Sequence, residues 1–217
     1  MMDEAIPAAS LILMRDRLGC PPELLIVQRS AALAFAAGAY VFPGGRVDPV
    51  DEMVAARSWP GFAPGDGAAR LAALRETMEE TAIVAGEVGG LVPFARWLPK
   101  EQVVRRFDTR FYLAEAGAAG EPVADGTETA SAFWASAEDV LARCRAGEGR
   151  AIFPTRRLLE RLARFASFAE ARAEAERLPE RIITPWIEER PGGAWLCIPG
   201  DAGYPITEEQ IDSALRY

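Results

Sequence analysis

The chain has 217 residues, half of them apolar and 26% charged, with a formal charge of −8 and no histidine. This length and balance suit one soluble globular unit with a sizeable core. The acidity argues against a nucleic-acid or anionic-membrane binder, because both need basic surface. The missing histidine removes Ser-His and Cys-His nucleophilic pairs and the usual zinc hydrolase ligands.

An anionic small ligand stays compatible with the charge, since a divalent cation can invert the local sign. Cys20, Cys144 and Cys197 are far apart and read as reduced, buried thiols, neither a zinc site nor a disulfide frame. Asp3 and Glu4 precede a short apolar run without the basic start and long apolar stretch of a signal peptide. The apolar runs are short of a membrane span, so a cytoplasmic location is expected.

In chain order, "AASLILMRD" and "PELLIVQRS" predict two strands around the turn Gly19-Cys20-Pro21-Pro22. An Ala- and Gly-rich loop follows, then "YVFPGGRVDP", a short apolar stretch ended by Pro43-Gly44-Gly45. Residues 51–66 hold Pro60, Gly61, Pro64 and Gly65, and predict an irregular excursion with room for one turn of helix. A helix is predicted from Gly67 to about Ala85, with Asp66 as N-cap and Leu71, Leu74, Met78 and Ala82 on its buried face.

"RRFDTRFYLAEA" and "TASAFWAS" alternate as strands, and Ser136 can cap a helix running to Arg145. Pro154 opens a predicted long helix to about Leu178, buried along Leu158, Leu159, Leu162, Phe165 and Phe168. "RIITPWIEERPGGAWLCIPGD" predicts a hairpin turning at Gly192-Gly193. Strands and helices in this order suggest a layered α/β domain over residues 1–217, with 154–217 as a helical and hairpin extension.

The chemistry concentrates in "LRETMEETAI", residues 74–83. On a helix, Glu76 stands three residues from Glu79 and four from Glu80, so the three share one edge. Like charges at that spacing oppose the helix; either water solvates them or a cation sits among them. The glycines of "FPGGRVDP" could bring backbone carbonyls close to such an ion. Carboxylate and carbonyl oxygens suit Mg²⁺ or Mn²⁺, which commonly partner phosphates. Arg75 can orient a carboxylate through its planar fork.

At these residues the chain resembles the Nudix hydrolases, whose box reads G-x5-E-x7-R-E-U-x-E-E-x-G-U, with U aliphatic. Gly45 matches the first glycine, Arg75, Glu76, Glu79 and Glu80 the R-E and E-E positions, and Ile83 the last aliphatic. Thr77 replaces an aliphatic and Ala82 a glycine. The first glutamate is absent: Asp51 lies at its distance from Gly45, but about sixteen extra residues precede Arg75, so the position is either lost or taken by Asp51 or Asp66. Segments such as "LLIVQRSAALAFAAGAYVFPGG", "FPTRRLLERLA" and "IPGDAGYP" are similar to the branch containing the peroxisomal-type coenzyme A diphosphatases, where an insertion in the box is typical.

The resemblance implies an α/β/α sandwich with a mixed central sheet and hydrolysis of a nucleoside diphosphate derivative. The substrate would be coenzyme A or an acyl-CoA; the alternatives are an ADP-ribose or NADH type of substrate, or a catalytically silent nucleotide-binding domain. It implies Mg²⁺ or Mn²⁺ held by Glu79, Glu80 and the Gly45 carbonyl, with Glu76 as a further ligand or as general base. Arg75 would support them, Glu128 is the candidate loop carboxylate, and Arg29 the candidate phosphate contact. Phe35 and Phe42 could stack on a base or pack in the core; Trp97 and Trp134 read as packing residues. Arg156 and Arg157, at a helix start, read as solvated, although such starts attract anions. The oligomeric state stays open, a homodimer included.

Overall fold

The computed structural model describes residues 5–33, 36–100, 106–178 and 181–214, so Phe35 lies outside the described residues. Strand β1 (Ile6–Arg17) turns at Leu18-Gly19 into β2 (Cys20–Arg29), an antiparallel hairpin. Cys20, next to that turn, is exposed, whereas Cys144 and Cys197 are buried and all three thiols are free. Two short strands follow, β3 (Tyr40–Val41) against β2 and β4 (Gly44–Arg46) against the start of β1. The diglycine therefore lies inside a strand and does not end one. A side chain at Gly44 would collide with the Ala9 carbonyl, so only glycine permits this pairing.

The sheet is completed by β5 (Val92–Trp97), β6 (Phe107–Glu115), β7 (Thr129–Ser136) and β8 (Ile182–Ile183). Its order is β3-β2-β1-β6-β5-β8, with β4 on β1 and β7 on β2. The pairs β1–β6 and β5–β8 are parallel and the others antiparallel, so the sheet is mixed.

Alternation along β1 divides the core. Leu11 and Leu13 face helix α2 (Asp66–Thr81), while Ile12 and Met14 face α3 (Ala137–Arg145), α4 (Phe153–Leu162) and α5 (Phe168–Arg177). This is the α/β/α sandwich with a mixed central sheet. A second sheet of β9 (Trp186–Arg190), β10 (Gly193–Cys197) and β11 (Glu208–Gln210) follows; its hairpin turns at Pro191-Gly192, one residue earlier than predicted. A short helix, α6 (Ile211–Ala214), comes last.

Four local predictions need correction. The 51–66 excursion begins as a full helix, α1 (Pro49–Ser58), with proline in its first turn and the Asp48 N–H donating to the Asp51 carboxylate at 2.9 Å. Asp66 is the first residue of α2, not its cap; its carboxylate accepts from Arg70 and from the Tyr112 hydroxyl, both at 2.7 Å. The buried face of α2 is built of Ala69, Ala72 and Ala73, while Met78 is 49% exposed and Leu71 and Leu74 are half-buried. Small side chains let the helix lie close on β1, which an aliphatic stripe would prevent. The predicted long helix is two, because Ser167 accepts from the Glu170 N–H and Glu170 from the Ala166 N–H, starting α5 anew.

Thr77 and Thr81 are fully buried on α2, each hydroxyl donating to the carbonyl four residues back, at 2.7 and 2.6 Å. That satisfies the polar atom where an aliphatic residue would be usual. Ala82 ends α2 at φ 57°, the left-handed region that disfavours a side chain. Substituting Ala82→Gly should therefore raise the unfolding free energy by about 1 kcal/mol. Urea denaturation measures this, and an unchanged midpoint would show that the cap carries no strain.

Candidate active site

The close approach of α2 to β1 carries its acidic edge to β4. The Gly44 N–H donates to Glu80 at 2.9 Å, and a Cβ on Gly45 would collide with the Glu76 carboxyl group. Glycine at 45 is thus a condition for Glu76 to lie there. Glu80 is 5% exposed, Glu76 is half-buried, and Glu79 turns outward.

Arg75 organises this edge. It donates to Glu76 at 2.9 Å, to Glu79 at 3.0 Å, to the Arg46 carbonyl at 3.1 Å and to both Asp51 oxygens at 3.0 and 3.4 Å. Asp51, 5% exposed, therefore takes the supporting position of the missing first glutamate, and Asp66 does not. The guanidinium is held firmly charged by these acids, against the opposing effect of its own partial burial.

A cleft of about 740 Å³ opens in front of these groups. Asp48, Glu76, Glu79, Glu80, Asp125 and Glu128 line it, against two cations, Arg29 and Arg46. The pairing of β2 with β7 shifts register between Gln28 and Arg29, and the Ser30 N–H donates to the Glu128 carbonyl at 2.7 Å. These contacts fix the loop carrying Glu128 against the end of β2.

Asp125, which sequence reasoning missed, accepts from the backbone N–H groups of Thr127, Glu128 and Thr129 at 3.2, 3.2 and 2.8 Å. Desolvation is the largest single influence and pushes its carboxyl up, but the Thr127 hydroxyl and these N–H groups together hold it below the usual range. The run D-G-T-E-T, with Asp two residues ahead of the first donor, was the available turn signal.

The aromatic side chains sort toward packing. Phe42 is 2% exposed and meets Phe111 edge-on, although it also forms part of the cleft wall. Trp97 is 2% exposed and donates to the Tyr204 hydroxyl at 2.9 Å; Trp134 stacks under Arg15. Arg156 and Arg157 are buried rather than solvated, because both reach Glu209 at the edge of the second sheet.

Burial pushes the Glu80 carboxyl up to about 8; the Gly44 N–H and Arg29 oppose the rise, while Glu76 and Glu128 add to it. Burial also raises Glu76, with Arg75 opposing. Among the described residues no three acids stand together in ligand geometry, because Glu76 and Glu79 share Arg75. The donor set nevertheless fits a hard divalent cation: crowded carboxylate oxygens, Glu80 among them buried, beside the Gly44–Gly45 strand in a cleft lined by more acids than cations.

This crowding has a pH signature. A carboxyl raised above its unfolded value near 4.5 favours the protonated fold, so stability should fall as pH rises from about 4.5 to 8. The slope from one such group is about 1.4 kcal/mol per pH unit at most. In metal-free protein, Glu80→Gln should flatten the fall, measured by denaturation across that window. A slope unchanged by the substitution would place the effect elsewhere.

Comparison with known proteins agrees with this architecture. A Nudix hydrolase from Alicyclobacillus acidocaldarius is 28% identical, with a TM-score of 0.71 over 80% of this chain and 97% of that one. The NUDIX domain of Shewanella oneidensis NrtR, solved with ADP ribose, shares the fold at 18% identity and a TM-score of 0.53, over 75% and 88% of the two chains. Among curated proteins none matches the chain significantly. The NUDIX domain model matches residues 5–155, well over half of the sequence, and the chain belongs to the Nudix domain family.

Proposed function

We propose that this chain is a Mg²⁺- or Mn²⁺-dependent hydrolase of a nucleoside diphosphate derivative, with coenzyme A or an acyl-CoA as substrate. The observation that carries the reaction class is the burial of Glu76 and Glu80 against Gly44 and Gly45 at the wall of the cleft. Membership of a family that generally uses divalent metal ions supports the cofactor. The insertion after Asp51, together with the similar segments along the chain, favours the coenzyme A branch.

When bound, the cation neutralises the diphosphate and makes an attacking water more acidic. Glu79, Glu80, Glu76 and the Gly45 carbonyl are the groups that would hold it. Arg75 keeps Glu76 and Glu79 oriented, and Asp51 keeps Arg75 oriented in turn. Arg29 offers positive charge to a substrate phosphate at the same wall. Water adds to one phosphorus as the bond from that phosphorus to the bridging oxygen breaks, releasing a nucleoside monophosphate and phospho-X. Glu128, or Glu76 where it is not a ligand, accepts the proton of that water.

A second substrate reading comes from the Shewanella oneidensis domain, solved with ADP ribose. With manganese present, coenzyme A should yield adenosine 3′,5′-bisphosphate, and Glu79→Gln should lower kcat by at least about a hundredfold. Chelation should abolish turnover. Cleavage of ADP-ribose or NADH with coenzyme A left intact would replace the substrate class while keeping the chemistry. Binding of all three without turnover would identify a silent domain.

A further inference from the structure

Helix α4 begins at the cleft, where Ile152, Pro154 and Thr155 form part of the wall. Its N-cap position is Ile152, which has no oxygen with which to cap the helix, and no side-chain cap bond is made there. The Arg156 N–H closes the first turn on the Ile152 carbonyl at 3.0 Å, and Pro154 has no N–H. That leaves the N–H groups of Phe153 and Thr155, and among the described residues neither finds an acceptor.

Thr155 supplies an independent observation. It is only 3% exposed yet borders the cleft, and its hydroxyl makes no hydrogen bond with the described residues. Thr77 and Thr81, buried on α2, return their hydroxyls to the helix backbone; Thr155 on α4 does not. With the rest of the side chain buried, that hydroxyl is left to the cleft, where a ligand or solvent is its partner. Arg156 and Arg157 do not explain the feature, since they reach Glu209 and Glu160 instead.

Three donors at the positive end of a ten-residue helix make an anion-binding arrangement. It lies in a cleft whose other lining is strongly acidic, so an anion would be repelled from most of that wall and accepted here. We propose that the first turn of α4, through Thr155 and the Phe153 and Thr155 N–H groups, is a subsite for a phosphate monoester on the substrate, separate from the diphosphate. The substrate class is then a nucleoside diphosphate derivative that carries a further phosphate. For the placing of the diphosphate at the acidic residues, this rests on the hydrolase reading above.

Calorimetric titration of metal-free protein with adenosine 3′,5′-bisphosphate and with AMP tests the subsite without turnover. The bisphosphate should bind at least about tenfold more tightly than AMP, the effect of one charge-assisted contact. Thr155→Val should remove most of that advantage while changing AMP binding less than about twofold, and Thr155→Ser should retain it. No binding of either ligand, equal affinity for both in the unsubstituted protein, or equal weakening of both by Thr155→Val would overturn the subsite. The result is separable from catalysis: if Glu79→Gln left turnover intact, the metal reading would fail while the discrimination between the two ligands could still stand.

Discussion

Negative charge pressed against a glycine strand is the constraint on which the site depends. Glu80 is buried on the Gly44 N–H, in the field of Glu76 and Glu128, with Arg29 opposing. Glu80 itself is almost wholly removed from water, because the helix lies close to the sheet. The closeness itself comes from Ala69, Ala72 and Ala73, which give α2 a shallow face against β1. Packing in the core thus sets the electrostatics at the surface of the cleft.

The same edge is kept in order by a single guanidinium. Arg75 bridges Asp51 on α1, Glu76 and Glu79 on its own helix, and the carbonyl of Arg46 on β4. Three elements are therefore registered against one another by a planar donor group, which lysine could not imitate. The loop around Asp125 is stiffened by backbone donors and presents Glu128 to the same cleft.

Much of this was legible in the sequence, for identifiable reasons. The hairpin of β1 and β2, the strand 129–136 and the Ser136-capped helix carry strong local signals, and they form where alternation and capping place them. Glu76, Glu79 and Glu80 stand out by spacing as one helix edge, but spacing alone leaves solvation by water as open as a cation. The buried face of α2 was misread because alanine is a weak hydrophobic signal, while Leu71, Leu74 and Met78 look like a core stripe. Helix α1 was masked by the prolines and glycines that follow it. The choice between Asp51 and Asp66 as partner of Arg75 could not be made from spacing, since sixteen inserted residues separate the candidate from its match and only tertiary folding joins them. Thr155 gave no signal at all, because its meaning lies in what it does not bond.

The inserted segment has a further consequence. It is tied at both feet, by Asp51 to Arg75 at one end and by Gly67 lying against Ala55 and Phe62 at the other. Between those ties, residues 59–65 run as local turns, with the Phe62 N–H on the Trp59 carbonyl at 3.3 Å and the Asp66 N–H on the Ala63 carbonyl at 3.0 Å. Lengthening such a loop is cheap, since each doubling adds only about 0.6 kcal/mol of closure entropy. The stretch is accordingly a natural grafting point, where new sequence could be introduced without moving the acids that Arg75 aligns.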